Sequence, residues 1–354
     1  MNILQIKSKT DCKWDFVSLG EVLLRFDPIE ARIHTARSFQ VFDGGGEYNV
    51  AKNLARCFQQ KTAVVTALVK NGLGHLAEDF VRQGGVDSSE IIWREDDGIG
   101  LTSRNGLYFI ERGFGLRTPN STFDRGNTAV SQLKSGDVNW ERIFREQKAS
   151  WFHTGGILTG LSESTPEVAA EAMKVANENG TIVSYDLNFR ASLWKTRGGR
   201  EASNELNRRL LPFADVVFGV FGFDSALSKF EESLFRQAAE KMCEEFPNIK
   251  MIVSTLRDTK SASRHNLSAV CYYNGEVFKA RDYLEVEVLD RVGSGDGFAA
   301  GFIYGLLAEK GLQYAVDCGT AHAVLLMTTI GDNSVLTHAE VESLMNNESL
   351  VVKR

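Results

Sequence analysis

Short apolar runs rich in β-branched residues alternate with longer helical patterns along most of this chain. Strands that alternate with helices form βαβ units, in which the strands lie parallel in one sheet and helices cover both faces. The sequence therefore predicts an α/β fold built on a mostly parallel sheet. The predicted strands are Phe16–Leu19, Ala63–Leu68, Trp151–His153, Ile182–Tyr185, Val216–Phe218, Met251–Ser254 and Ala269–Tyr273. The predicted helices include Val50–Gln59, Leu76–Gln83, Pro166–Asn179 and Glu232–Phe246.

Two stretches interrupt this alternation, because residues 21–42 and 98–111 contain short extended runs with no helix between them. Surface hairpins are one interpretation of such runs. No internal repeat, low-complexity tract or proline-rich linker divides the 354 residues. We therefore expect a single domain, 1–354, with these two stretches inserted in it.

The composition excludes several classes of function. A net charge of −6 argues against a nucleic-acid partner, whose binding surface is basic. The five cysteines are scattered, and no two of them are closely spaced in the sequence. This pattern fits a reducing compartment and predicts no metal site. The N-terminus lacks the apolar core of a signal peptide, and no apolar run approaches the roughly 18 residues of a membrane helix. These features predict a cytoplasmic protein that does not bind membranes.

The motif Asp290–Gly301 is glycine-rich and lies between a predicted strand, Tyr283–Leu289, and a predicted helix, Gly297–Lys310. Glycine at positions 293 and 295 lets the backbone turn tightly and expose its N–H groups. At the N-terminus of a helix such groups bind anions, most often a phosphate. Plain strand-to-helix geometry is the alternative interpretation. The glycine spacing does not match a dinucleotide-binding fingerprint, and no Gly-Lys-Ser/Thr sequence ends a glycine-rich loop as in a P-loop.

Asp296 lies inside this anion-attracting turn, where its charge would repel a phosphate unless the carboxylate had a chemical task. Taking a proton from an attacking hydroxyl is such a task, and it makes Asp296 the candidate general base of a phosphoryl transfer. The backbone N–H groups of Gly293, Ser294 and Gly295 would stabilise the transferred phosphoryl group.

The sequence Asp-x-x-Gly-x-Gly-Asp at 290–296 resembles the second signature of the ribokinase-like (PfkB) carbohydrate kinases. The first signature of that family, a glycine pair followed by an asparagine at a helix start, is matched by Gly44–Asn49. The resemblance extends from about Asp15 to Val341. Within the family, the segment Asp186–Trp194 and the late pair at 331–332 are most similar to 2-keto-3-deoxygluconate kinases.

The resemblance implies a ribokinase-like fold in which segments 21–42 and 98–111 form a small β-sheet lid over the sugar site. It also implies ATP-dependent phosphorylation of a sugar acid, 2-keto-3-deoxygluconate to its 6-phosphate, with Mg²⁺ on the nucleotide. The metal ligands and the need for a monovalent cation are left open. A homodimer that pairs through the lid is a further expectation.

The resemblance also assigns roles to individual residues. Gly44, Gly45 and Asn49 would line the sugar site. Arg190 would hold the acid group of the substrate, since a guanidinium forms two parallel hydrogen bonds with a carboxylate. Asp332 matches a late acid that contacts substrate in the same kinases.

On the nucleotide side, the resemblance predicts that Thr255, Arg257, Gly293 and Gly295 contact ATP. Three departures from the family pattern accompany these matches. The Asn-x-x-Glu motif is missing from 219–224, and no Gly follows Leu in the loop 255–258. In the predicted lid, Glu111 lies near the position where an arginine of a Tyr-x-Arg cluster is expected.

Two other functions remain open at this stage. One is a kinase of a neutral sugar of the fructose or ribose type, which would need no partner for a substrate carboxylate. The other is a catalytically weak sugar sensor on the same fold, which the missing Asn-x-x-Glu motif suggests and the intact Asp296 opposes.

Overall fold

The computed structural model describes residues 3–347, which form fifteen strands and ten α-helices. The strands are β1 (Trp14–Leu19), β2 (Leu23–Asp27), β3 (Gln40–Gly44), β4 (Thr62–Val69), β5 (Val86–Asp87), β6 (Ile91–Arg94), β7 (Gly106–Glu111), β8 (Asn120–Asp124), β9 (Ala149–Gly155), β10 (Ile182–Asp186), β11 (Val216–Phe218), β12 (Met251–Ser261), β13 (Arg264–Tyr273), β14 (Glu276–Lys279) and β15 (Tyr283–Glu287). The helices are α1 (Gly46–Phe58), α2 (Gly72–Gln83), α3 (Gly156–Thr159), α4 (Thr165–Glu178), α5 (Ala191–Trp194), α6 (Gly199–Leu210), α7 (Glu232–Glu245), α8 (Ser294–Leu307), α9 (Leu312–Leu326) and α10 (His338–Met345).

The large sheet has the order β14-β13-β12-β11-β10-β9-β1-β4-β5, with β15 added beside β13 and β6 beside β4. Its strands from β12 to β5 pair in parallel, whereas β13 runs antiparallel to β12, β14 and β15. The predicted α/β fold with a mostly parallel sheet is therefore confirmed.

Helices cover both faces of this sheet because its central strands are apolar on both sides. In β1, Phe16 packs into a core that contains residues of α1, α8 and α9. The next residue, Val17, points to the opposite face, into a core that contains residues of α4, α6 and α7. Parallel strands place their carboxyl ends at one edge of the sheet, so the loops that follow them converge there.

A separate sheet of four strands has the order β3-β2-β7-β8. Its central pair, β2 and β7, is parallel, and both outer pairs are antiparallel. Three of its strands lie in or next to the two stretches predicted to be extended. The fourth, β8, lies beyond residue 111 and was not predicted, because four of its five residues are polar and all five are exposed.

Helix α8 begins at Ser294, three residues before the predicted start at Gly297. Gly293 caps the helix with a φ of 78°, which glycine adopts without strain. The following helix, α9, packs against α8 through small residues, since a Cβ on Gly301 would lie 2.8 Å from the carbonyl oxygen of Cys318. Among residues 3–347, no helix combines the length and hydropathy that crossing a membrane requires.

Candidate active site

A cavity of about 700 Å³ lies between the carboxyl ends of the large sheet and the small sheet. It collects residues from both glycine-rich signatures, from the loops after β1 and β10, and from β12. Its polar lining residues include Glu21, Asn49, Tyr108, Arg125, Asp186, Arg190, Thr255, Arg257, Arg291, Ser294, Asp296 and Asp332.

The first turn of α8 forms one wall of this cavity. A Cβ on Gly293 would lie 1.9 Å from the carbonyl oxygen of Asp332, so only glycine fits there. The hydroxyl of Ser294 donates to the carbonyl of Arg291 at 2.9 Å, which fixes the turn. Backbone N–H groups in the first turn of a helix have no carbonyl partner within it. The turn can therefore bind an anion, as the sequence predicts.

Asp296 brings the two signatures together. Its Oδ2 accepts a hydrogen bond of 2.7 Å from the side-chain amide of Asn49, at the start of α1. Burial raises the pKa of Asp296 well above its ordinary value, and the charge of Asp186 raises it further. The hydrogen bond from Asn49 and the charge of Arg190 act in the opposite direction and favour the carboxylate. The carboxyl group is thus placed to exchange a proton with a group in the cavity.

The glycines of the first signature lie beside this carboxylate. Gly45 and Gly46 line the cavity, and Gly45 adopts a φ of 134° with its Cα packed on the carbonyl of Glu21. Gly44 lies behind the wall: a Cβ there would meet the carboxylate of Asp332 at 2.5 Å. Gly44 therefore permits close packing, whereas Gly45 borders the space for a ligand.

Two guanidinium groups line the part of the cavity where the sugar is expected. Arg190 is exposed at the start of α5 and lines the cavity. Burial raises the pKa of the neighbouring Asp186 to about 6, and the charge of Arg190 opposes this rise. Arg125, just after β8, has a side chain that is 9% exposed and pairs with Glu21 at 3.1 Å. It also lies over the ring of Phe123, at 4.3 Å.

Sequence reasoning missed Arg125 because it placed the lid arginine near Glu111. The carboxylate of Glu111 accepts hydrogen bonds from the side chain of Arg32 at 2.7 Å and from the backbone N–H of Ile33 at 2.8 Å. The aromatic-x-Arg sequence at 123–125 was the signal that could have found Arg125.

Next to Glu21 and Asp186 lies a buried carboxyl group that the sequence analysis did not single out. Glu47, in the first turn of α1, is 2% exposed, and burial raises its pKa to about 8. The charges of Glu21 and Asp186 act in the same direction. Its neighbour Glu21 has one oxygen, Oε1, that is buried without a hydrogen-bond partner in the described part of the chain.

Asp332 belongs to a buried cluster centred on Arg25, which is fully buried in β2. The Arg25 guanidinium donates to Asp332 at 2.7 Å, to Asp27 at 2.7 Å and also to Asp290. The hydroxyl of Tyr108 in β7 donates to the second oxygen of Asp332. This Arg25 cluster joins two strands of the small sheet to the two loops that support the α8 turn. Asp332 reaches the cavity wall, and both of its oxygens are hydrogen-bonded within the protein.

The residues expected on the nucleotide side also lie together. Thr255, Arg257, Gly293 and Gly295 all line the cavity. Arg257 donates to the hydroxyl of Ser294 at 2.7 Å. Where the Asn-x-x-Glu motif is missing, Asp224 accepts from the backbone N–H of Ala226 at 3.1 Å, outside the cavity lining. No group of three or more His, Cys, Asp or Glu side chains within residues 3–347 could hold a metal ion.

Comparisons with known proteins show similarity to carbohydrate kinases along most of the chain. The sequence model of the pfkB family carbohydrate kinases matches residues 14–339. A 2-dehydro-3-deoxygalactonokinase from Haloferax volcanii is 29% identical over 341 residues, which are 96% of this chain and 99% of that protein.

Two solved structures extend the comparison. A 2-dehydro-3-deoxygluconokinase from Thermotoga maritima is 33% identical, with a TM-score of 0.83 over 94% of this chain and 99% of the other. A protein assigned as ribokinase II from E. coli, solved with ATP and Mg²⁺, shares the fold at 18% identity, with a TM-score of 0.76 over 95% of this chain and 100% of the other. The chain therefore belongs to the pfkB family of carbohydrate kinases.

Proposed function

We propose that this carbohydrate kinase transfers the γ-phosphoryl group of ATP to a hydroxyl of a sugar acid, 2-dehydro-3-deoxygluconate, and forms the 6-phosphate. The observation that carries the proposal is the presence of one candidate base, Asp296, and two guanidinium groups, Arg190 and Arg125, in the same cavity. A base and an anion-binding turn suit any sugar kinase. Two cations on the sugar side suit a substrate that carries a carboxylate.

Asp296 acts as the general base in this proposal. As the hydroxyl oxygen of the sugar forms a bond to the γ-phosphorus, its proton passes to the carboxylate of Asp296, and the bond to the bridging oxygen of ADP breaks. Such a base contributes a factor of about 10² to 10⁴ in rate. Its hydrogen bond from Asn49, 2.7 Å long, fixes the carboxylate in the cavity.

The α8 turn, Gly293–Asp296, binds the transferred phosphoryl group through its backbone N–H groups. Thr255 and Arg257 lie on the side where we place the nucleotide. Bound together with ATP, Mg²⁺ would neutralise phosphate charge during the transfer. The described residues fit an ion held mainly by the phosphates, since they offer no cluster of three metal-binding side chains.

The carboxylate of the substrate is assigned to Arg190 and Arg125. Arg190 is exposed to the cavity, and the Arg125 side chain lies at its edge, 3.1 Å from Glu21. The buried, unpartnered oxygen of Glu21 can accept a hydrogen bond from a sugar hydroxyl. Gly45 and Asn49 complete the sugar side, with Asp332 and Gly44 supporting them from behind.

The direct test is ATP consumption with a panel of purified substrates. The panel contains 2-dehydro-3-deoxygluconate, its galactonate epimer, fructose and ribose, and the product is located by ³¹P NMR. We expect turnover with a deoxy sugar acid and at least tenfold lower kcat/KM with the neutral sugars. Preference for a neutral sugar would support that alternative kinase, and binding without turnover would support a sensor.

We extend the proposal to the whole chain. Residues 1–354 form one kinase domain with the small sheet as its lid, and the protein works in the cytoplasm as a homodimer. The edge strand β8, exposed along its length, is where we expect two lids to pair. Light scattering that gives the mass of a single chain would exclude the dimer.

A further inference from the structure

Arg257 and Arg291 are two like charges that share one wall of the cavity. They are linked through Ser294, whose hydroxyl accepts a hydrogen bond of 2.7 Å from Arg257 and donates one of 2.9 Å to the backbone carbonyl of Arg291. The pKa of Arg257 is lowered to about 10, mainly by burial and to a smaller extent by the charge of Arg291. Arg257 nevertheless remains cationic at neutral pH.

No carboxylate within residues 3–347 forms an ion pair with either guanidinium group. His265 in β13 lies close enough for both arginine charges to act on it, and it does not compensate for these charges. Burial lowers the pKa of His265 to about 4, with the two arginine charges acting in the same direction, so the ring is neutral. Two cations held near each other without an anion form a site that is completed by a ligand with several negative charges.

We propose that Arg257 and Arg291 form an arginine clamp that binds the phosphate chain of the donor next to the N-terminus of α8. This inference rests on the proposed use of ATP, and it adds Arg291 to the residues that bind the phosphoryl donor. Arg257 is held in place by Ser294, whereas Arg291 is exposed and can move onto a phosphate. Guanidinium groups suit this task because their planar N–H groups match phosphate oxygens in pairs.

The clamp lies beside the segment from which the Asn-x-x-Glu motif is missing, because the backbone N–H of Arg257 donates to the carbonyl of Ser225 at 2.9 Å. Asp224, the acid nearest to that position, is 63% exposed and pairs with Lys229 at 3.4 Å. The charge of the phosphates is therefore met by arginines of the protein as well as by any ion that accompanies the nucleotide. A consequence is that a bare polyphosphate should bind without a divalent cation.

The test is calorimetric titration of the protein with sodium tripolyphosphate in buffer containing EDTA, without nucleotide or sugar. We expect saturable binding to the wild type. Arg291→Gln should weaken it about 5- to 20-fold, and Arg257→Gln about 10- to 100-fold, because each removes a charge-assisted contact. Arg291→Lys should recover part of the affinity. Arg56→Gln removes an exposed arginine of α1 outside the cavity and should change nothing.

Kinetics with ATP supply a second readout. The KM for ATP should rise in the Arg291→Gln variant while the KM for the sugar acid stays unchanged, and inhibition by adenosine should be the same in both proteins. Equal tripolyphosphate affinity in the wild type and Arg291→Gln, or no binding to the wild type, would overturn the clamp. If arginine-dependent binding is found but no sugar acid is phosphorylated, the clamp stands and the proposed function fails.

Discussion

Asp296 combines a raised pKa with a hydrogen bond that favours its charged form, as expected of a group that exchanges protons. We predict that Asp296→Asn lowers kcat by a factor of about 10² to 10⁴, because asparagine keeps the shape but cannot accept the proton. The KM values for ATP and sugar should change little. Steady-state kinetics measure both quantities, and a kcat near that of the wild type would exclude Asp296 as the base.

Variants of Arg190 test the proposed substrate class. If its guanidinium holds a carboxylate, Arg190→Ala should lower kcat/KM for the sugar acid roughly 10- to 150-fold, from the ~1.5–3 kcal/mol of a charge-assisted hydrogen bond. A matched neutral sugar should lose much less. Arg190→Lys should restore only part of the activity, since it keeps the charge and loses the planar fork. An equal loss for both substrates would make Arg190 a structural residue.

Residues with a sequence-local signature could be predicted, and those that act through long-range contacts could not. Asp296, Asn49 and Arg190 follow strands or open helices in recognisable motifs, and the fold brings them to one cavity. Arg25 gave no such signal, because two of its three carboxylate partners are distant in the sequence. Asp290 and Asp332 follow it by 265 and 307 positions. A charged residue inside the apolar run of β2 was the only hint in the sequence.

At the scale of single elements, α8 and α9 depend on small residues at their contact. We predict that Gly301→Ala lowers the free energy of unfolding by about 1–3 kcal/mol, because the new methyl group would lie 2.8 Å from the backbone of α9. Gly295→Ala is the matched control in the same helix, since a Cβ there has no neighbour within 4 Å. Urea denaturation measures both, and equal midpoints would contradict the prediction.

The elements themselves were predicted wherever they form a short apolar run rich in β-branched residues or repeat apolar side chains on one helix face. Eight strands of the large sheet were therefore found, often a few residues too short, as β9 shows, whereas β5, β6 and β14 were not predicted. β8 was missed because an exposed strand has no apolar pattern to reveal it. Helix α8 starts earlier than expected since its first turn consists of Ser294, Gly295 and Asp296, which are weak helix formers by themselves.

For the whole molecule, the buried carboxyl of Glu47 predicts a dependence of stability on pH. Its pKa is about 8 in the folded chain, against 4.5 for the ordinary group, so the folded state holds a proton that the unfolded state releases. Glu47 makes its full contribution to the free energy of unfolding below about pH 4.5, and this contribution is lost as the pH rises through 8. We expect a loss of about 2–4 kcal/mol over that interval.

Glu47→Gln should flatten this dependence, because glutamine cannot ionise. Chemical denaturation at pH 5 and pH 9 measures the effect, with Glu30→Gln as the exposed control. Between pH 5 and pH 9, the free energy of unfolding should fall less in the variant than in the wild type. A pH profile identical to that of the wild type would show that Glu47 is ionised in the folded chain.

The Arg25 cluster limits how the small sheet can be exchanged. Suppose that the lid of another carbohydrate kinase were grafted onto this chain to alter its choice of sugar. Without an arginine at position 25, Asp290 and Asp332 would be left buried beside the catalytic turn without their counter-charge, at a cost of several kcal/mol. A working chimera must therefore carry Arg25, Asp290 and Asp332 as one inherited unit, and substrate range in this chain can change by side chains on the lid more easily than by the lid itself.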